Sequence, residues 1–245
     1  FNRQTKKKLA TLSGHAKPVT QSVFQGGSGV VLTASSDGSA KVWNPSAQST
    51  ALRTIAVHSA AVTALQVHPV SNGSYFMTAS EDHTWAFHNI ESGATLAHVR
   101  SPKVASAISS AHLHPDSLLM ASGCSDGSVA IWDIRNQTVA AALGTVGGHV
   151  GGVRSIRCSE NGFYLVSAAA DLVKLWDLRT CKAVAETAVD GGDIAALDIA
   201  YSGKYVAVAG KKISLFTTAD LQLVRELGDH TQQVTDLQWS RDGSF

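Results

Sequence analysis

An internal repeat with a period of about 40–45 residues constrains the fold of this chain more than any other feature of its sequence. Each repeat ends in an aromatic residue that is followed by a polar one. In most repeats a Ser or Thr and an Asp precede the aromatic residue, and a His stands further upstream. The repeat-defining aromatic residues are Phe1, Trp43, Phe87, Trp132, Trp176 and Phe216. Such a period predicts similar small structural units that pack side by side, each against its neighbours.

Each repeat is predicted to contain four short strands. In the second repeat the first two strands are Val62–Val67 and Tyr75–Ser80, the third carries Trp85, and the fourth lies around residues 94–97. Turn residues such as Asp37-Gly38 separate strands elsewhere. Several strands are apolar on both faces, as expected when a sheet is packed between two neighbours, and helical periodicity is absent. The sequence therefore predicts an all-β chain built from four-stranded antiparallel sheets.

Composition excludes several classes of protein. Charged residues make up only 16% of the chain and hydrophobic residues 44%, a balance that excludes intrinsic disorder. The 20 Lys and Arg residues are matched by 19 Asp and Glu residues, so no broad basic field favours nucleic acid or a membrane surface. No run of about 18 apolar residues could span a membrane. Cys124, Cys158 and Cys181 have neither zinc-ligand nor disulfide-framework spacing and indicate a reducing compartment.

The recurring His, hydroxyl and Asp have the composition of a nucleophilic triad. An active site is needed once, however, and this set recurs from repeat to repeat, so we interpret it as structural. The members of these polar sets are His15, Thr33, Asp37 and Trp43; His58, Thr78 and Asp82; and His149, Ser167, Asp171 and Trp176.

Together, the Gly-His, the Asp, the Trp-Asp and the period resemble the WD40 β-propeller family, and the resemblance covers the whole chain. It implies that the Asp orients the His, that the His bonds the hydroxyl, and that the hydroxyl accepts a hydrogen bond from the Trp ring N–H. It also implies a ring that is seven-bladed when intact, at about 42 residues per blade, so the chain supplies about five and a half to six blades. The last of these is expected to begin with a first strand from Val234 to Trp239. Residues 1–245 are then expected to form a single propeller domain, truncated at both ends, whose ring is closed by strands outside this segment.

Some repeats depart from the pattern. In the second, Phe87 replaces the Trp and so offers no ring N–H. The third repeat lacks the Gly-His, and the fifth lacks the Asp. We expect these repeats to keep the fold while losing part of the polar set.

The degenerate repeats narrow the resemblance. Residues 81–87 read EDHTWAF, residues 159–165 read SENGFYL and residues 173–179 read VKLWDLR. These strings resemble the second and fourth repeats of the pre-mRNA-processing factor nineteen family, the splicing-associated U-box ubiquitin ligases. That family also lacks the Gly-His before its third and fifth repeats and the Asp in its fifth. The shortened turn at Asp171 departs from it.

The resemblance to that family implies a longer nuclear protein with an N-terminal U-box, which makes it a ubiquitin ligase, and a coiled coil that assembles a tetramer. It implies that the propeller docks proteins of a splicing-associated complex and ubiquitination substrates, in mRNA splicing and DNA repair. This segment is then expected to have no ligase activity, catalytic residue, cofactor or metal, and no membrane contact. RNA contact is expected only within a larger assembly.

Candidate docking residues follow from the same resemblance. The residues just before the turn Asp face one surface of a WD40 propeller, and Lys17 lies in the loop after Gly14-His15. An ordinary solvated rim is the alternative interpretation for each of them. The candidates are Lys17, Ser36, Glu81 and Ser125, with Ala170 at the corresponding place in the fourth repeat.

Two Trp-Asp-x-Arg boxes, 132–135 and 176–179, suggest a second function. Consecutive boxes resemble those by which substrate receptors of cullin-type ligases dock on their adaptor, with Arg135 and Arg179 as the contact residues. The alternatives are a general WD40 scaffold and ordinary WD40 usage, in which each Arg lies on the rim.

Two further motifs are interpreted as structural. His112 and His114, with Asp116, have metal-ligand spacing, but His114 occupies the repeat position of His68 at the end of a first strand, so no metal is expected there. The lysines at 6–8 are predicted to lie on an outer strand, where charge blocks strand pairing, rather than to form an RNA site.

Overall fold

The computed structural model describes residues 7–8, 10–26, 28–46, 49–69, 73–144, 148–170, 172–190, 192 and 194–240. Phe1, Asp171 and Lys6, which figured in the sequence predictions, lie outside the described residues. Within this part of the chain all regular secondary structure is β-strand. It contains no helix long and apolar enough to cross a membrane. The chain divides into two compact units, residues 1–100 and 101–245.

The first unit contains two four-stranded antiparallel sheets, which we call blades 1 and 2. In each blade the strands pair in chain order, because short turns join neighbours. Blade 1 consists of β1 (Val19–Phe24), β2 (Val31–Ser35), β3 (Ala40–Trp43) and β4 (Arg53–Ile55). Blade 2 consists of β5 (Val62–Val67), β6 (Tyr75–Ser80), β7 (Thr84–Asn89) and β8 (Thr95–Arg100).

The second unit contains three sheets of the same design, blades 3 to 5. Blade 3 consists of β9 (Ile108–Leu113), β10 (Leu119–Cys124), β11 (Val129–Asp133) and β12 (Thr138–Leu143). Blade 4 consists of β13 (Ser155–Cys158), β14 (Tyr164–Ala168), β15 (Leu172–Asp177) and β16 (Lys182–Ala188). Blade 5 consists of β17 (Ala196–Ile199), β18 (Tyr205–Ala209), β19 (Ile213–Thr217) and β20 (Leu223–Leu227). The predicted fold class, all-β with four-stranded antiparallel blades, is confirmed.

Neighbouring blades of one unit pack through their inner strands. The second strand β2 is buried along its whole length, because apolar side chains cover both of its faces. Polar side chains add a recurring bond between blades: the Thr20 hydroxyl donates to Val62 O at 2.6 Å, and the Ser109 hydroxyl donates to Val153 O at 2.5 Å. Each unit thus gains a continuous core that a single sheet could not form.

The outer strands of four blades share the same break in their pairing with the third strand. In four blades the third and fourth strands change register directly before the position that is Trp132 in blade 3 and Trp176 in blade 4. One outer-strand residue has no partner at each bulge. These residues are Leu96, Ala140, Val184 and Val224, and all four are exposed.

The register corrects one sequence assignment. Val31 pairs with Trp43 and Met120 with Trp132, and the same position in blade 2 pairs Phe76 with His88. His88, and not Phe87, therefore takes the place of the Trp. Phe87 lies on the opposite face of β7, because successive side chains of a strand alternate.

Two further expectations differ from the structure. The predicted first strand of a sixth blade, Val234 to Trp239, pairs with no described strand; the Val234 N–H donates to Gly210 O at 2.9 Å and the Trp239 N–H to the Asp198 carboxylate at 2.8 Å. Lys7 and Lys8 are exposed and lie outside the described strands, so the outer-strand prediction for this run is wrong for both of them. Closure of the ring, its seven blades and the single domain over 1–245 stay predictions.

Candidate functional site: polar networks and exposed loops

Blade 1 brings its four predicted polar residues into one chain of hydrogen bonds. His15 Nδ1 lies 2.9 Å from Asp37 Oδ2, and His15 Nε2 lies 2.7 Å from Thr33 Oγ1. The Trp43 ring N–H donates to the same hydroxyl at 2.8 Å. With its proton on Nδ1, His15 donates to Asp37 and accepts from the Thr33 hydroxyl, so every polar group in the chain has a partner.

Asp37 anchors this network from the turn between β2 and β3. Burial alone would raise the pKa of Asp37, but hydrogen bonds from Ser39, Ala16 and His15 outweigh it and hold the pKa well below its usual range. The Ser39 hydroxyl donates to Oδ1 at 2.6 Å and the Ala16 N–H to Oδ2 at 2.9 Å. The ionised carboxylate therefore ties the turn to the segment that carries His15.

The same geometry argues against catalysis by these residues. The Thr33 hydroxyl is buried and already engaged by His15 and Trp43, so no substrate atom can approach it. A nucleophile must be accessible and must face an open site. The network instead pairs polar groups that lie in an apolar interior, so no buried donor is left without an acceptor.

Blade 2 builds a different network from the same starting residues. His58 Nε2 lies 2.8 Å from Thr78 Oγ1, and Thr78 Oγ1 lies 2.9 Å from His88 Nε2. His88 Nδ1 then lies 3.1 Å from the Thr95 hydroxyl on β8. A histidine thus replaces the tryptophan donor of blade 1. Burial, reinforced by the charges of His58 and His98, lowers the pKa of His88 to about 3.

The other side of His58 meets a carboxylate and a second histidine. His58 Nδ1 lies 3.1 Å from Asp82 Oδ2 and 3.0 Å from Thr84 Oγ1. The Thr84 hydroxyl donates to Asp82 Oδ1 at 2.5 Å, and His98 Nε2 lies 3.0 Å from that hydroxyl. Burial lowers the pKa of His58, and the nearby Asp82 carboxylate opposes that shift.

The three blades of the second unit retain different parts of the set. Blade 3 keeps the Trp132 ring N–H donating to Ser122 Oγ at 2.8 Å. In blade 4, Ser167 Oγ lies 2.7 Å from His149 Nε2 and accepts from the Trp176 ring N–H at 2.8 Å. Asp171 lies outside the described residues. In blade 5 the register places Val208 at the hydroxyl position and Phe216 at the Trp position, and both are buried.

Four of the predicted docking positions lie at the turns that follow the second strands, whereas Lys17 lies in the loop before β1. Lys17, Glu81 and Ser125 are exposed and Ser36 is half-buried; Ala170, at the corresponding place in blade 4, is also exposed. Backbone hydrogen bonds fix these turns: the N–H of Ser36 donates to Pro18 O, that of Glu81 to Ala61 O and that of Ser125 to Ala107 O. The side chains therefore project from a rigid support, and a role in docking stays a prediction.

The two Trp-Asp-x-Arg boxes have different geometries. In blade 4, Arg179 forms two hydrogen bonds to Asp177, at 3.0 and 2.6 Å, and its guanidinium lies over the Phe163 ring at 5.0 Å. In blade 3, Asp133 instead accepts from Asn136, at 2.9 and 2.7 Å, although Arg135 and Arg179 are both exposed. A shared adaptor site would need both arginines in comparable states.

His112 and His114 do not converge on one point. His114 Nε2 lies 2.8 Å from Gly162 O, and His112 Nδ1 accepts from the Cys158 N–H at 3.3 Å. Burial lowers the pKa of His112 to about 3. Each ring has its own partner, because His112 lies within β9 and His114 follows the end of that strand.

Sequence reasoning missed four members of the blade 2 network: Thr84, His88, Thr95 and His98. A signal for His88 exists, since it follows Asp82 by six residues, as Trp43 follows Asp37. His98 carries no comparable signal, because only the pairing of β8 with β7 places it opposite Ala86.

The comparisons with known proteins agree with this geometry. A β-propeller family model described as Nucleolar protein 10-like, N-terminal domain matches residues 7–216. The chain belongs to this β-propeller family.

Alignments with individual proteins narrow the resemblance to one group of relatives. All of the chain aligns with Pre-mRNA-processing factor 19 homolog 2 of Arabidopsis thaliana, at 36% identity over 253 residues. All of it also aligns with Pre-mRNA-processing factor 19 of Oryza sativa subsp. japonica, at 34% over 255 residues. The Mus musculus protein of that name is 33% identical over 156 residues, 64% of this chain and 30% of its own. The predicted resemblance to the pre-mRNA-processing factor nineteen family is confirmed, and the propeller spans 47% of the length of each plant relative.

A substitution at Asp37 tests the structural role of the networks. We expect Asp37→Ala to lower the free energy of unfolding by about 2 kcal/mol, because Ser39, Ala16 and His15 lose their common acceptor. The side chain is 12% exposed, so water recovers part of the loss. Urea denaturation followed by tryptophan fluorescence measures the change.

The matched control is Asp133→Ala, which removes a carboxylate bonded to Asn136 at an exposed turn. We expect it to change stability by about 0.5 kcal/mol or less. Equal midpoints for Asp37→Ala and the unmodified chain would contradict the structural interpretation.

Proposed function

We propose that this propeller is the protein-interaction platform of a pre-mRNA-processing factor. The observation that carries the proposal is the whole-chain likeness to proteins named Pre-mRNA-processing factor 19, at 34–36% identity. The relatives' name supports a role in pre-mRNA splicing, and the propeller supports a role in binding other macromolecules.

The distribution of polar groups favours docking over chemistry. The His, hydroxyl and Trp groups of blades 1 and 4 are buried and bonded to one another, so they leave no reactive group at the surface. The residues left free to meet a partner project from turns that the strands hold in place. Lys17 and Glu81 supply opposite charges in the first unit, and such side chains on rigid turns favour specific recognition of a protein surface.

We extend the proposal to the full-length protein by the same likeness. It would be a nuclear U-box ubiquitin ligase that forms a tetramer through a coiled coil, with the propeller presenting spliceosome partners and ubiquitination substrates. The cullin-receptor alternative has less support, because Asp177 and Phe163 already engage Arg179 while Arg135 has a different environment.

Rescue of splicing tests the proposal. The endogenous protein is depleted from cells of the source organism, and intron retention is measured by RNA sequencing. We expect depletion to raise intron retention and full-length wild-type protein to reverse it. A full-length variant carrying Lys17→Glu and Glu81→Lys should restore about half of the effect or less, because both docking charges are reversed at constant net charge.

The control carries Glu160→Lys and Lys182→Glu, which exchange two exposed charges that are not among the predicted docking residues. This variant should rescue fully. Unchanged intron retention after depletion would contradict the splicing role, and full rescue by the Lys17→Glu, Glu81→Lys variant would contradict the docking surface.

A further inference from the structure

Blade 2 contains a set of three potential metal ligands. The third of them, His98, has no histidine counterpart in the other blades. The ligand atoms of His58, Asp82 and His98 all lie within 4.8 Å of one another, and among the described residues they form a group able to hold a metal ion. The Thr84 hydroxyl lies between them, 3.0 Å from His58 Nδ1, 3.0 Å from His98 Nε2 and 2.5 Å from Asp82 Oδ1. Two imidazoles and a carboxylate are a common donor set for zinc.

The separation of His58 and Asp82 suits tetrahedral coordination, and the ligand atom of His98 lies within 4.8 Å of both. Zinc bonds of about 2.0–2.1 Å place neighbouring tetrahedral ligands about 3.3 Å apart. His58 Nδ1 and Asp82 Oδ2 are already 3.1 Å apart, and Thr84 Oγ1 lies 3.0 Å from each imidazole nitrogen. Small rotations of the side chains would therefore complete the site, with the Thr84 hydroxyl or a water molecule as the fourth ligand.

Two of the ligands are buried and the third is exposed, so the site is held firmly and is still open to solvent. The side chains of His58 and Asp82 are 2% and 7% exposed, so their positions are fixed by packing. His98 lies on the outer strand β8 and is exposed, which provides a route for the ion from solvent.

The replacement of tryptophan by His88 removes an obstacle to metal binding. A metal on His58 Nδ1 requires the proton of His58 to lie on Nε2, which then donates to Thr78 Oγ1. The Thr78 hydroxyl must in turn donate to another group. His88 Nε2, at 2.9 Å, can accept this proton once His88 carries its own proton on Nδ1 and donates to Thr95. The whole chain of hydrogen bonds can thus reverse its direction without losing a partner.

Blade 1 cannot make this change. Thr33 always accepts from the Trp43 ring N–H, which has no lone pair to accept in return. The position of His98 is also taken by Thr54, which pairs with Lys41 and accepts from its ammonium group at 2.9 Å. The counterparts in the remaining blades are Ala142, Glu186 and Glu226.

We propose that His58, Asp82 and His98 form a zinc-binding site in blade 2. The sequence predicted no metal, because the ligands come from a loop before β5, a turn before β7 and the outer strand β8, and their spacing matches no zinc motif. Zinc at this site joins the outer strand of blade 2 to its inner turn.

Binding of zinc chloride to the metal-depleted full chain tests the site. We expect isothermal titration calorimetry at about pH 7 to show one equivalent bound. Cobalt(II) should give the visible absorption of a tetrahedral ion. Zinc should also raise the melting temperature by several degrees, since it binds only the folded state.

The informative variant is His98→Thr, which copies Thr54 of blade 1 and alters an exposed residue. It should weaken zinc binding by about 100-fold and remove most of the rise in melting temperature that zinc causes in the wild-type chain. The variant His88→Phe keeps every ligand but removes the acceptor that the Thr78 hydroxyl needs after reversal of the hydrogen-bond chain, and it should weaken binding by about tenfold.

The control is His230→Ala, which removes an exposed histidine outside the cluster and should leave one equivalent bound. Sub-stoichiometric binding to the wild-type chain would overturn the proposal. So would equal affinities for the wild type and His98→Thr.

Discussion

Replacing Thr33 by Val should lower the free energy of unfolding by about 3 kcal/mol. The two side chains have nearly the same shape, so the loss comes from the polar groups. The Trp43 ring N–H would keep no acceptor, and His15 Nε2 would lose its donor, in an interior where water cannot replace either bond. Urea denaturation monitored by circular dichroism measures the change.

Two comparisons isolate this effect. Val208 already occupies the hydroxyl position in blade 5, where Phe216 needs no acceptor, so a valine fits the strand itself. Thr187→Val makes the same chemical change at a half-buried position on the outer strand β16, where the hydroxyl has only a 3.4 Å contact with Ala188 O, and should alter stability by about 0.5 kcal/mol or less. If Thr33→Val behaved like Thr187→Val, the networks would not contribute to stability.

Lowering the pH should destabilise the folded chain already at pH values well above the pKa values of its carboxyl groups. The pKa of His88 is about 3 in the folded state, against 6.5 for an ordinary histidine, because burial disfavours its charged form. The unfolded state therefore binds more protons as the pH falls. The contribution of His88 is complete above about pH 6.5 and declines by on the order of 3 kcal/mol between pH 7 and pH 4.

The variant His88→Gln separates this contribution from that of other groups. Its amide N–H can still donate to Thr78, but it does not titrate, so the slope of stability against pH between about 6.5 and 4 should decrease. A buried counterpart, His112, also has a pKa of about 3 and should leave a residual slope in the variant. Parallel slopes for the variant and the unmodified chain would contradict the assignment.

The sequence was sufficient for the strands of the regular repeats. The predicted bounds Val62–Val67 and Tyr75–Ser80 are those of β5 and β6, because each apolar run ends at turn residues. The recurring His, hydroxyl and Trp were also assigned from spacing alone, and the structure brings those of blade 1 together with Asp37.

The sequence was insufficient where pairing between strands decides the outcome. Phe87 was chosen over His88 because an aromatic side chain was expected, whereas the register follows the count from Asp82. His98 becomes a neighbour of Thr84 only through the pairing of β7 with β8, which includes a bulge. The segment from Val234 to Trp239 has the composition of a strand, yet a strand exists only where a partner strand pairs with it.

The bulges on the outer strands have a consequence for how the molecule behaves at high concentration. A flat edge with a continuous row of free N–H and C=O groups would recruit the edge of another molecule and begin aggregation. The unpaired residue at Leu96, Ala140, Val184 or Val224 interrupts that row and twists the strand away from such a partner. These exposed apolar residues therefore oppose aggregation, because each lies at a bulge that interrupts the pairing edge. Their apolar side chains alone would suggest that they promote it.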